Sequence, residues 1–113
     1  MNRTPMRMKT LKISQEAYFR RWCNEIRASI KKPTIMTGGI RSYPLVHEML
    51  SNGETDLIGM CRPFIKEPGL VNRWQRGDHR RARCISCNKC GSGLLRGLPL
   101  ACYVKEKWDF TAP

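Results

Sequence analysis

Cys84, Cys87, Cys90 and Cys102 follow the spacing C-x2-C-x2-C-x11-C. Three thiols on one tight loop with a distant fourth suit a four-iron cluster better than a zinc ribbon, whose ligands come as two separated pairs. Zinc and a set of free thiols are the alternatives this spacing leaves open. Cys23 and Cys61 fit no ligand spacing, and Cys23 falls among apolar residues as a core side chain would.

Two glycine-bearing turns could do a second kind of chemistry. Gly38-Gly39 closes the β-branched run Thr34-Ile35-Met36-Thr37, and Gly59-Met60-Cys61-Arg62 closes Asp56-Leu57-Ile58. Glycine lets main-chain N–H groups approach a ligand with no Cβ in the way. At the ends of successive barrel strands, such amides and a following short helix form a dianion site. Arg62 would add charge-assisted bonds to the same oxygens. A role in turn geometry and packing accounts for a lone Gly-Gly equally well. His47 and His79 lie away from both turns and read as surface histidines.

The elements that must hold these turns alternate in type. Ser14 can cap a helix on which Phe19, Trp22, Cys23, Ile26 and Ile30 form an apolar stripe, ending near Lys31-Lys32 before Pro33. The short run from Thr34 reads as a buried parallel strand. Ser42 can cap a second helix bearing Leu45, Val46, Met49 and Leu50, stopped by Asn52-Gly53. A second strand covers Asp56 to Met60. Pro68 sits where a third helix would begin, with Leu70, Val71 and Trp74 inward and Gly77 at its end. Trp22 and Trp74 are expected in the core, and Trp108 in the tail supports no reading. The order α-β-α-β-α implies parallel strands joined by right-handed crossovers, in a barrel or an open sheet.

The 113 residues allow one modest core. With 21 Lys and Arg against 9 Asp and Glu, the net charge of +12 points toward phosphate-bearing partners, and cofactor phosphate qualifies as well as nucleic acid. The basic residues are spread over helix faces and one cluster, Arg76 to Arg83, which reads as solvated surface. No apolar run reaches the ~18 residues of a membrane span, and no secretory core follows Met1. The expected address is the cytoplasm, with the acid-free stretch Arg3 to Lys12 as a mitochondrial alternative. In a reducing compartment, six cysteines read as ligands or core residues and not as a disulfide framework.

Taken together, Ile35-Met36-Thr37-Gly38-Gly39-Ile40-Arg41, Asp56-Leu57-Ile58-Gly59-Met60-Cys61-Arg62-Pro63-Phe64-Ile65 and Glu67-Pro68 resemble the seventh and eighth strands of the NADH:flavin oxidoreductase (Old Yellow Enzyme) family. The helix carrying Tyr18-Phe19 is similar to that family's sixth helix, so the resemblance runs from Glu16 to Cys102. It implies FMN as cofactor, NAD(P)H as reductant, and hydride transfer through the flavin to an activated alkene or similar acceptor. It also implies that Gly38, Gly39, Cys61 and Arg62 contact the FMN phosphate; Cys61 departs from the Gly or Ala of many relatives. Cys84-x-x-Cys-Asn is similar to the start of the [4Fe–4S] array in dienoyl-CoA reductase-like members, whose second gap is one residue longer. The family's substrate-binding His or Asn pair and its proton-donating Tyr find no counterpart, so no residue is expected to be catalytic.

The expected fold is therefore α/β: the C-terminal portion of a (β/α)8 TIM barrel, strands 7 and 8 with flanking helices, over residues 1–77, then a basic Cys-rich tail over 78–113. The expected partners are FMN, NAD(P)H and a complementing barrel fragment, with neither membrane nor nucleic acid. The rival reading is a small basic metal-binding module for nucleic acid, which lacks interleaved aromatics and a base-reading helix. A purely structural interaction piece is the third.

Overall fold

The computed structural model describes residues 6–104. Trp108, the residues before Met6 and the end of the tail lie outside the described residues. A 3-10 turn at Ile13–Gln15 leads to α1 (Arg20–Ser29), β1 (Ile35–Thr37), α2 (Tyr43–Ser51), β2 (Leu57–Gly59), α3 (Arg62–Lys66), α4 (Leu70–Gln75) and α5 (Lys89–Leu95). No described helix is long and apolar enough to cross a membrane.

The strands pair in parallel, as the alternation predicts, with Ile35 opposite Leu57, Met36 opposite Ile58 and Thr37 opposite Gly59. Their start is fixed by polar bonds. Thr34 N–H donates to Asp56 Oδ2 at 2.8 Å, Arg27 Nη1 donates to the same oxygen, and Met36 N–H donates to Thr55 Oγ1 at 3.0 Å. The guanidinium of Arg27 beside Asp56, with the Thr34 amide, holds that carboxyl down at about 2.

One sheet face is covered. Met36 packs with Ala17, Ile40, Leu45 and Met49, and Ile58 and Met60 lean on this cluster. A second cluster of Leu70, Trp74 and Ala82 joins the first through Val46 and Met60. Trp74 is thus buried, as its helical spacing predicts. The opposite face is bare: Ile35 and Leu57, side by side, are 60% and 56% exposed. A Cβ on Gly59 would fall on that same face, 3.3 Å from Thr37 Cβ. The strand read as buried is therefore buried on one side only.

Other expectations are corrected. Ser14 lies inside the 3-10 turn, and α1 begins only at Arg20, with Phe19 at its N-cap. Nothing on α1 is buried, and Trp22, expected in the core, is 51% exposed. Of its apolar stripe, Cys23 reaches the first cluster, while Ile26 and Ile30 face outward. Ser42 does occupy the N-cap of α2 but makes no capping bond. Leu50 and Val71 are exposed. Arg62–Lys66 is a short helix, and Pro68 precedes α4 by two residues, with Gly69 at its cap. The tail contributes α5, hidden from periodicity by its glycines; Gly93 admits the Tyr103 ring 2.5 Å from where a Cβ would stand.

Candidate functional site

Both glycine turns open on one cleft of about 210 Å3, walled by Tyr18 and Phe19 on one side and by Met60 to Pro63 on another. Gly38 and Gly39 have φ of +118° and +71°, and a Cβ at either would stand 2.8 Å from the Phe19 ring or 2.6 Å from the Tyr18 ring. Both the backbone and the close aromatic wall therefore demand glycine here. The two rings meet edge to face at 4.7 Å. Cys61, with φ of −108°, needs no glycine, and its side chain is exposed. Arg62 is 8% exposed, and its Nη1 donates to Asn88 Oδ1 at 3.2 Å. Gly38, Gly39, Cys61 and Arg62 thus line one cleft. The five-residue α3 is too short for its dipole to carry the site.

The first loop is held by a residue the motif reading passed over. Glu16, buried, accepts from Arg41 N–H at 2.8 Å, Ser42 N–H at 2.9 Å and Ser42 Oγ at 2.6 Å. That is why Ser42 does not cap its helix. Arg41, 5% exposed, sends Nη1 to the Thr10 carbonyl at 2.7 Å and Nη2 to the Ala82 carbonyl at 3.2 Å. Its Nε, also buried, has no hydrogen-bond partner among the described residues. A polar residue just before an aromatic pair was the available signal for Glu16, but its partners lie 25 and 26 positions away.

The residues present fit a dianion in this cleft. Among the described residues, two buried guanidinium groups line it, no carboxylate does, and one of its arginines holds a buried donor without an acceptor. An unpaired buried donor or cation is unfavourable unless a ligand completes it.

Cys84, Cys87, Cys90 and Cys102 line a second cleft together with Arg62, Asn88 and Ile65, so Arg62 is common to both. All four are half-buried. Burial pushes the Cys84 thiol up, against the Ser86 N–H and the charges of Arg41 and Arg62. Ser86 and Asn88 take left-handed backbone at φ of 55° and 64°, which folds the loop sharply between the thiols. Among the described residues, no three Cys, His, Asp or Glu side chains stand together as a ready ligand set. The spacing brings the thiols to one cleft without closing them on a common point.

The basic cluster lies at the surface as expected, with Arg76, Arg80 and Arg81 exposed and Arg83 half-buried, and polar bonds hold the segment in place. Arg73 donates Nε to Glu67 Oε1 at 2.5 Å and Nη2 to Oε2 at 3.1 Å, and reaches the carbonyls of Asp78, Arg80 and Arg81. Arg80 bonds Asp78, and Arg81 bonds the Leu11 carbonyl. Burial pushes the Glu67 carboxyl up, but the Arg73 bonds, the Arg83 N–H and both positive charges outweigh it and leave it below its ordinary value. Arg73 thus ties the start of the tail to Glu67 at the end of α3. His47 is exposed against Ser51, and His79 stacks on Tyr43 at 3.7 Å, both far from a ligand role.

The sequence model of the NADH:flavin oxidoreductase / NADH oxidase family matches residues 4–80. A 4,4'-dithiodibutanoate disulfide reductase of Rhodococcus erythropolis is 28% identical over 81% of this chain and 22% of its own length. A metal reductase of Desulforamulus reducens is 32% identical over 73% of this chain and 13% of its own. A bilirubin reductase of Clostridium symbiosum is 28% identical over 85% of this chain and 26% of its own. The chain thus spans about a quarter or less of these relatives.

Proposed function

Since this chain belongs to the NADH:flavin oxidoreductase / NADH oxidase family, we propose that it supplies the flavin-phosphate end of an FMN-dependent oxidoreductase barrel. In this reading residues 1–77 are the seventh and eighth βα units, and 78–113 are a Cys-rich tail laid over them. The observation that carries it is the cleft between the two strand ends, lined by Arg41 and Arg62 and, among the described residues, by no acid. Amides at Gly38, Gly39, Cys61 and Arg62 take the phosphate, Arg62 adds charge, and Tyr18 and Phe19 keep water from one side. Flavin held there would supply hydride transfer from NAD(P)H to an oxidised acceptor. The relatives' names point to a disulfide, a metal and bilirubin, which suits a common flavin end with acceptor choice made elsewhere in the fold.

The bare row of Ile35 and Leu57 supports the barrel, because alternate residues of barrel strands point into a packed interior. The remaining βα units cover that row in the closed barrel. A [4Fe–4S] cluster on Cys84, Cys87, Cys90 and Cys102 is the second component, supported by the cleft the four thiols line together. Binding it requires the loop at 84–90 and the segment at 102 to draw in.

The test is FMN titration of the chain alone and with a polypeptide carrying the other βα units of a relative. The chain alone binds weakly or not at all and reduces no alkene, since ordering both loops costs on the order of a kcal/mol per residue fixed. The complemented barrel binds FMN. Within it, Arg62→Ala weakens FMN roughly 10- to 100-fold through loss of a charge-assisted bond. Tight stoichiometric FMN binding by the chain alone refutes the dependence on the other strands, and a complemented barrel without flavin affinity refutes the function.

A further inference from the structure

We propose that Arg41 is the charge-selecting residue of the cleft: its free Nε–H donates to the phosphate of FMN and favours the phosphorylated flavin over riboflavin. The inference rests on the flavin-phosphate reading and assigns it a residue outside the backbone loops.

Arg41 has a structural role that accounts for two of its three nitrogens. Nη1 and Nη2 staple the carbonyls of Thr10 and Ala82, which tie the N-terminal strap and the tail to the first loop. Neither acceptor carries charge. The carboxylate that touches this residue, Glu16, does so at the Arg41 main-chain N–H and is otherwise taken up by Ser42. No carboxylate forms an ion pair with the guanidinium among the described residues.

A staple does not explain Nε. It is the buried side-chain donor left without an acceptor among the described residues, on a side chain that lines the cleft. Burial disfavours the charged form of Arg41, and the like charge of Arg81 adds to this, while Cys84 and Glu16 oppose it. A dianion arriving in the cleft would relieve both the unmet donor and the uncompensated charge. Arg62, the other guanidinium there, already has an acceptor in Asn88. Riboflavin, with a hydroxyl where FMN has its phosphate, offers no such compensation.

The experiment is a 1H–15N titration of the labelled 113-residue chain, complemented by the other βα units of a relative, with FMN, with inorganic phosphate, and with riboflavin. It follows the Arg41 Nε–Hε resonance and the Gly38 and Gly39 amides. FMN and phosphate are expected to shift all three and to slow exchange of the Nε proton, whereas riboflavin leaves the Nε resonance in place. Glycine amides that move while the Nε resonance stays overturn the role of Arg41 and leave the phosphate site standing. No movement at any of the three with FMN overturns the site and this inference with it. Arg41→Lys keeps a positive charge without a donor at that position. It is expected to weaken FMN about tenfold, the loss of one hydrogen bond, as read from the glycine amides. Unchanged FMN affinity in a folded Arg41→Lys chain also overturns the proposal, and the wild-type titration decides the matter if that variant does not fold.

Discussion

Replacing Glu67 by Gln removes one charge and almost no volume from the point where the tail is bound to the body. Glu67 takes two bonds from Arg73 and one from the Arg83 N–H, and its side chain is almost wholly buried. A bond to a charged acceptor contributes about 1.5–3 kcal/mol and a neutral one about 0.5–1.5. Two bonds converted from charged to neutral therefore cost about 2 kcal/mol. The Gln amide also turns a donor toward one of the two Arg73 nitrogens, which adds to the loss. Asp78 Oδ1, 3.2 Å from Arg73 Nη1, keeps part of the guanidinium charge compensated and limits it. A net loss of about 2–3 kcal/mol lowers the melting midpoint of a domain this size by roughly 8–20 °C. The Glu67 carboxyl is held below its ordinary value, so its contribution is fully present above the unfolded carboxyl range and is lost as pH falls through the folded value. The gap between the two proteins should therefore be open at pH 7 and close below about pH 4. Melting followed by circular dichroism at both pH values measures it. A Glu67→Gln chain that melts within a degree of wild type at pH 7, or a gap that persists unchanged in acid, would refute the reasoning.

Gly39→Ala forces a Cβ into the Tyr18 ring at a left-handed φ, whereas Gly53→Ala meets the same backbone penalty in open space. Thermal melts should place Gly53→Ala about 1 kcal/mol below wild type and Gly39→Ala below it by clearly more. Trp74→Ala should cost about 3–5 kcal/mol, and Trp22→Ala, on the exposed stripe of α1, less than about 0.5; equal effects would contradict the packing. Anaerobic reconstitution with iron and sulfide should give a broad visible absorption that Cys87→Ser abolishes. Zinc at one equivalent with no iron, or an unchanged Cys87→Ser spectrum, would rule out the cluster.

Much of this arrangement could be read from residue order because it depends on local chemistry. Met36, Leu45, Met49, Leu70 and Trp74 are buried where period and turn signals place them. Gly38 and Gly39 close the first strand on a cleft shared with Cys61 and Arg62. Trp22 was misread for a definite reason: period identifies the apolar side of a helix but says nothing about what covers it. Glu16 and Arg41 were missed as the loop's anchors because their bonds span 25 to 41 positions, and no local pattern encodes them. The basic cluster is exposed as its composition suggests, but the bond from Arg81 to the Leu11 carbonyl, 70 residues away, has no local signature. The four thiols show the converse limit. Spacing brought them to one cleft, but the inward movement that would gather them depends on the ion they would hold.

The uncovered row of Ile35 and Leu57 also bears on colloidal behaviour. Parallel strands with an open apolar face and unpaired edges invite a second copy to pair with them. Here the strands are three residues long, which leaves little edge to template. The net charge of +12 further sets copies against one another. That repulsion reaches about 8 Å at physiological ionic strength and about 3 Å in molar salt. The charge of the chain therefore opposes association through its bare sheet faces, and salt that screens its arginines weakens that opposition.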